Sequence, residues 1–379
     1  MIVRPALRRL ALVALAAAAA GPGVALASRD VALAARGAGS PVTIGLFVPV
    51  RGPQAALGTD VLRGAEIAVA QARREDGARG RPLRLVTAPS DLRWEASTGA
   101  LVRLLYEEDA VAVVGALDGR SAHLAEQVIT RARGRAVFVT PWASESNLTR
   151  IRIPWFFSVV PDDRRQAAAL AGEIFSGRRA GRAAAWVEEA FDCRAAADAF
   201  VEAAPPGTVV RFSAGDANGR EDLAARIRRG EFGALVLFAA PRAAADLSSW
   251  LQGTGARLPL FGPLSLAVPE FLAHSEGAAE GMVMVVPGMG GTRAERAFDD
   301  EFARRHGVPP SSLARYSHDA VAAVVAALRK AEAGRGGRLE EALAATVIEG
   351  ATGTVRFDER RGREGWPALE VVRPGGDRP

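Results

Sequence analysis

Residues 42–71, VTIGLFVPVRGPQAALGTDVLRGAEIAVAQ, decide the fold. The run Val42–Val50 is apolar at nearly every position and rich in β-branched side chains, the pattern of a strand buried on both faces of a parallel sheet. Gly52, Pro53 and Gly58 then break the run. Beyond them Val61, Leu62, Ala65, Ala68, Val69 and Ala72 recur at helical spacing and make one face of a helix, with Thr59 or Asp60 as its cap. This order puts the loop Arg51–Gly58 at the carboxyl end of a strand, where open α/β sheets meet small molecules.

Outward from this stretch the alternation continues. Apolar runs at Ile44–Val50, Leu83–Thr87, Val111–Gly115, Ala136–Thr140 and Phe156–Val160 are separated by helical patterns at Asp60–Arg74, Glu95–Glu107 and Ser121–Arg133. Right-handed crossovers make such a series a doubly wound sheet with helices on both faces. A second series follows, with strands expected at Ala183–Val187, Val209–Phe212, Ala234–Phe238, Leu258–Phe261 and Gly281–Val286, and helices at Arg164–Phe175, Arg194–Ala203, Glu221–Arg229 and Ala243–Leu251. Two α/β sheets of similar size imply two lobes. After the Gly-rich connection Pro287–Thr292 come helices at Arg293–His306 and Ser317–Lys330, then the linker Gly334–Gly337. A short helix Leu339–Thr346 and strands Gly353–Phe357 and Leu369–Val372 close the chain.

On the N-terminal side, Arg4, Arg8 and Arg9 precede an apolar run, Leu10–Ala20, and the small-residue triplet Ala25-Leu26-Ala27. That order is a signal peptide, residues 1–27, cleaved near Ala27, and the run is too short to span a bilayer. Arg8-Arg9 leaves both general secretion and twin-arginine export open. Residues 28–41 read as a flexible lead-in and 374–379 as a tail. The net charge of +5 falls by three, to +2, when the leader's three arginines leave. Acidic and basic residues interleave throughout, which argues against nucleic acid as a partner. Cys193 is the single cysteine, so an exported form has no internal disulfide and relies on its core.

Seven segments in this order resemble the type I periplasmic binding proteins of the leucine/isoleucine/valine-binding kind. They are IGLFVPVRGPQAALGTDVLRGAEIAV, VAVVGALDGRSAHLAEQV, FVTPWASESNLT, FFSVVPDD, PLFGPLSLAVPEFL with AEGMVMVVP, SHDAVAAVVAALRKA, and GATGTVRFDERRGR. The resemblance implies two doubly wound parallel-sheet lobes joined by a three-segment hinge, opening and closing about it. Lobe I would be 42–160 plus 290–348 and lobe II 161–289 plus 349–373. It further implies a periplasmic, monomeric protein without a cofactor, which delivers a small molecule to an ABC permease in the inner membrane.

The resemblance also implies a site. The loops Leu117–Ser121 and Thr140–Ser144 would hold a ligand carboxylate through hydroxyls and helix-start N–H groups, which are suited to an anion. Ser144 stands where the family has its Ser/Thr after TPxA, and it either binds ligand or caps the next helix. In the first loop, Asp118-Gly119-Arg120-Ser121 replaces the serine common in amino-acid binders, leaving the Gly119 N–H. Asp162 and Asp163 match one acid for an ammonium, although Asp162 equally reads as the cap of the helix beginning near Arg164. At the second acidic position the chain has Leu264, which would leave an ammonium half-paired. Trp142 and Phe191, the latter in place of a tyrosine, would form an apolar slot unless they are core. Arg51 either takes a carboxylate bidentately or is a solvated rim residue. Together these residues predict a small carboxylate with an apolar or aromatic body and no essential ammonium.

Two other classes remain. An exported enzyme lacks support: His123, His274, His306 and His318 are far apart, no Gly-x-Ser-x-Gly turn is present, and Cys193 at a helix start reads as packing. A sensor that presents its closed state to a membrane receptor or redox partner would share the same fold.

Overall fold

In the computed structural model, which describes residues 40–373 except 53, 77–80, 91–93, 177–180, 289–290 and 334–336, the opening apolar run forms β1 (Val42–Val48), buried at every residue. It is followed by α1 (Ala55–Asp76), β2 (Leu83–Pro89), α2 (Trp94–Tyr106), β3 (Ala112–Gly115), α3 (Gly119–Arg131), β4 (Val137–Thr140), α4 (Asn147–Arg150) and β5 (Phe156–Ser158). The second series runs α5 (Asp163–Phe175), β6 (Ala183–Val187), α6 (Phe191–Ala203), β7 (Val209–Ser213), α7 (Gly219–Arg228), β8 (Ala234–Phe238), α8 (Pro241–Gly253), β9 (Leu260–Gly262), α9 (Pro269–His274) and β10 (Val283–Val286). Then come α10 (Arg293–His306), α11 (Ser312–Glu332), α12 (Leu339–Ala344), β11 (Val347–Gly350), β12 (Gly353–Arg356) and β13 (Ala368–Val371).

The first sheet has the order β2-β1-β3-β4-β5 and is parallel throughout. The second repeats that order as β7-β6-β8-β9-β10, with β13 added antiparallel on β10. Each lobe therefore reverses its winding once, between β1 and β3 and between β6 and β8, and each reversal opens a crevice at the strands' carboxyl ends. Period-two alternation sorts β1: Val42, Ile44, Leu46 and Val48 pack with α1 and α11, while Phe47 turns to α2 and α3.

The seam between α1 and α11 is unusually close because Gly64 has no side chain. A Cβ there would lie 2.2 Å from the Ala314 carbonyl oxygen. The Ser317 hydroxyl donates to the Val61 carbonyl at 2.7 Å, and the Ser311 hydroxyl, which caps α11, donates to Asp60 at 2.6 Å. This corrects the expected cap of α1. The helix begins at Ala55, Thr59 bonds back to the Ala55 carbonyl inside it, and Asp60 serves the neighbouring helix instead. The helix α11 likewise starts at Ser312, ahead of Ser317, since Ser311 supplies the cap. The strand β11 and the helices α4 and α9 are additions that periodicity did not show, being too short for a repeat to register.

Three chain crossings join the sheets, after β5, after β10 and at Ala351–Thr352. They are pinned by a buried polar hub. Asp319 of α11, fully buried, accepts from the backbone N–H groups of Ala351 (2.7 Å) and Thr352 (2.9 Å) and from the Thr352 hydroxyl. The His318 ring bridges Asp319 (2.9 Å) and Gln71 of α1 (2.7 Å). Arg363 donates to the carbonyls of Val159 (3.1 Å), Thr352 (2.7 Å) and Thr354 (3.0 Å) and lies over the Tyr316 ring. Burial works to raise the Asp319 carboxyl, but the His318 and Thr352 hydrogen bonds and the charge of Arg363 outweigh it and hold it low.

The leader, the lead-in before Ser40 and the tail after Arg373 lie outside the described residues. Among the described residues no helix is long and apolar enough to cross a membrane.

Replacing Gly64 by alanine tests the seam. Alanine gains about 1 kcal/mol of helix propensity, yet its methyl would meet backbone and not a yielding side chain. A net loss of roughly 1–3 kcal/mol is expected, read as a lower denaturant midpoint with an unchanged m value.

Candidate functional site

The loops after β3 and β4 of the first lobe meet the starts of α5 and α6 of the second. In the first lobe the loop after β3 turns on Ala116, whose φ of +61° is a left-handed conformation rare for alanine. The Thr140 hydroxyl at the end of β4 ties that loop down. It donates to the Ala116 carbonyl at 2.9 Å and accepts from the N–H groups of Trp142 and Ala143. Asp118 caps α3 through the Ser121 N–H at 2.8 Å, and the Ser121 hydroxyl turns back onto the same residue. The Gly119 N–H is left pointing across the cleft.

From the second lobe, the start of α6 faces it. Asp192 accepts from the Gly119 N–H at 3.0 Å, and the Phe191 ring stands edge-on to His123 with centroids 6.2 Å apart. Nearby, the Ser144 hydroxyl donates to Asp163 at 2.6 Å, and the Asp163 N–H returns a bond to the Ser144 carbonyl at 2.8 Å. The expected site residues thus separate into groups. Gly119, Ser144 and Phe191 make contacts between the lobes. Thr140 and Ser121 shape the first-lobe loops with their hydroxyls. Asp162 caps α5 through the Arg165 N–H at 2.9 Å. Trp142, 8% exposed, packs edge-on to Tyr316, and Leu264, 2% exposed, has its N–H bonded to the Gln166 side chain at 2.9 Å. Arg51 is exposed on the loop after β1.

Sequence reasoning named Asp163 and Asp118 but missed Asp192 and Glu145. Asp118, Glu145, Asp163 and Asp192 converge here, with His123 and Arg120 as the nearby cations. Burial pushes Asp163 well up, and the charges of Asp192, Glu145 and Asp162 add to it against the Ser144 bond. Asp192 is raised to about 6, by burial first and Asp118 second, with the Gly119 bond opposing. Burial is the first cause in both, and the neighbouring carboxylates add to it. The Cys193 thiol, pushed up to about 12 chiefly by burial, stays protonated and is no nucleophile at neutral pH. Among the described residues no group of His, Cys, Asp and Glu is arranged to hold a metal ion.

His123 bridges two acids, Glu126 at 2.7 Å and Glu145 at 2.9 Å. The Glu126 and Glu145 hydrogen bonds raise its ring to about 10 despite burial, so it carries a positive charge across the neutral range.

A family model described as periplasmic binding protein matches residues 41–374. Solved structures of the same architecture include the LivJ branched-chain amino acid transporter substrate-binding protein of Streptococcus pneumoniae in complex with isoleucine. It is 21% identical over 88% of this chain and 100% of that one, with a TM-score of 0.75. An ABC transporter substrate-binding protein from Sphaerobacter thermophilus is 21% identical over 90% and 95%, with a TM-score of 0.78. An ABC transporter solute-binding protein from R. palustris in complex with benzoate is 17% identical over 89% and 94%, with a TM-score of 0.75. No curated protein sequence matches.

The charge on His123 has a signed consequence. Its folded value lies above the ordinary 6.5, so its contribution to stability is complete below that pH and is lost as pH rises toward about 10. An NMR titration of the imidazole should show a midpoint near 10; one near 6.5 contradicts the bridge.

Proposed function

Since the chain belongs to the periplasmic binding protein family, we propose that it captures a small solute between its lobes and delivers it in a closed form to an ABC permease in the inner membrane. The leader would carry it to the periplasm, with cleavage near Ala27. The bodies that move would be 42–160 plus 290–348 and 161–289 plus 349–373, pivoting on the hub around Asp319. One observation carries this reading. The helices that follow β3 and β6, each at the winding reversal of its own sheet, meet end to end at Gly119 and Asp192.

The local chemistry favours an amino-acid-like solute over a carboxylate with no cationic group. Leu264 supplies no acid, but Asp163 stands at the expected first acidic position and Asp192 adds a second, and a ligand ammonium would offset the burial and the neighbouring charges that raise both. A ligand carboxylate would take the Gly119 N–H and the Ser144 hydroxyl. Phe191 would cover the body of the ligand, with Trp142 and Leu264 as apolar backing and Arg51 at the rim. Ser121, Thr140 and Asp162 would hold the loops in place.

A thermal-shift panel of L-isoleucine, L-leucine, benzoate and short-chain acids and amides tests the proposal. A true ligand at about 100 times its Kd stabilises by roughly 2.7 kcal/mol, a rise of several degrees. Asp163→Asn and Ser144→Ala should each weaken that ligand's binding about tenfold, the loss of roughly one charge-assisted hydrogen bond. A flat response to the whole panel would count against the cleft as an amino-acid site.

A further inference from the structure

The donor at the start of α3 is already taken. The first N–H groups of a helix have no partner within it, and here one of them is satisfied by a carboxylate from the other lobe. The approach is fitted to an absent side chain. A Cβ on Gly119 would lie 2.4 Å from the Asp192 carboxylate and 3.0 Å from the Phe191 ring. It also brings like charges together. Asp118 and Glu145 of the first lobe bear on Asp192 alongside Arg120, and Asp163 at the start of α5 couples to it. Glu188 and Cys193 flank it on its own stretch, and the cationic His123 meets the adjacent Phe191.

We propose that Asp192 is an interlobe latch that competes with the solute, holding α3 and α6 together through the Gly119 N–H until a ligand takes that donor in its place. The inference rests on the reading of this cleft as the binding site and adds to it a selection rule. A ligand with an acceptor at one end and a donor at the other can be spliced into the contact, its acceptor on Gly119 and its ammonium or amide on Asp192. A ligand offering only a carboxylate would displace Asp192 and then face it, charge against charge. Asp192 therefore discriminates against simple anions.

The latch is also coupled to protons. Closure buries the Asp192 carboxyl beside Asp118 and Glu145 and raises it to about 6, so the closed form takes up a proton. Its gain is complete below the ordinary carboxyl value of 3.8 and is lost as pH rises through about 6.

Small-angle scattering of the ligand-free full chain at pH 5 and pH 8 provides the test, since it needs no knowledge of the ligand. Asp192→Ala and Gly119→Ala, placed on opposite lobes, should each increase the radius of gyration by the same amount, and the double variant should add nothing. Asp192→Asn keeps an acceptor oxygen and no charge, so it should remain as compact as wild type at pH 5 and show no change at pH 8. Circular dichroism confirms that each variant is folded. An Asp192→Ala protein as compact as wild type, or an Asp192→Asn protein as open as Asp192→Ala, overturns the latch. The selection rule is read separately, with benzoate at one fixed concentration. Its thermal shift should be larger for Asp192→Ala than for wild type, and equal shifts, zero included, overturn the competition. A failed ligand panel with an intact scattering result would count against the function and not the latch.

Discussion

A carboxylate sealed away from water holds the molecule's parts in register. Asp319 is buried completely, and an ion in such a place persists only when its lone pairs are met by well-placed donors. Those donors come from the third crossing and from His318, and Arg363 extends the same set of contacts to the first crossing. The neighbours of Asp319 on α11 are packed against α1 through Gly64 and Ser317. The hub therefore fixes the crossings to the rigid part of the first lobe.

Much of this architecture was legible in the residues. Runs such as Val42–Val48 and Ala234–Phe238 are buried on both faces and left no polar alternation to confuse them with surface strands. Their flanking turn-formers place the loops at the strand ends. Boundaries were less legible, because local chemistry is decided by partners far away in the chain. Thr59 and Asp60 look like a helix start until Ser311, some 250 residues on, is found bonded to Asp60. The strand β11 was invisible for a similar reason, since a four-residue hairpin arm with mixed exposure carries no periodic signal.

The site was half legible. Gly119, Ser144 and Phe191 were singled out and do meet other-lobe residues. Asp192 was not, although it follows Phe191 directly, because its meaning depends on a charge balance between two loops separated by 73 positions. Leu264 and Trp142 together pointed to a ligand without an essential ammonium. Asp163 and Asp192 are both raised, by burial first, and the acids gathered around them are a feature that Leu264 and Trp142 do not reveal.

The pairing of α1 with α11 sets the order in which the protein can be completed. The sheet face formed by Val42, Ile44, Leu46 and Val48 is covered in part by Leu313, Val321 and Val324, which a ribosome adds only after the whole second sheet has been made. Domains ordinarily fold as they emerge, N-terminal part first. Here the lobe begun first is finished last, so the nascent chain carries an uncovered apolar sheet for most of its synthesis. Chaperone binding during translation should concentrate on that segment.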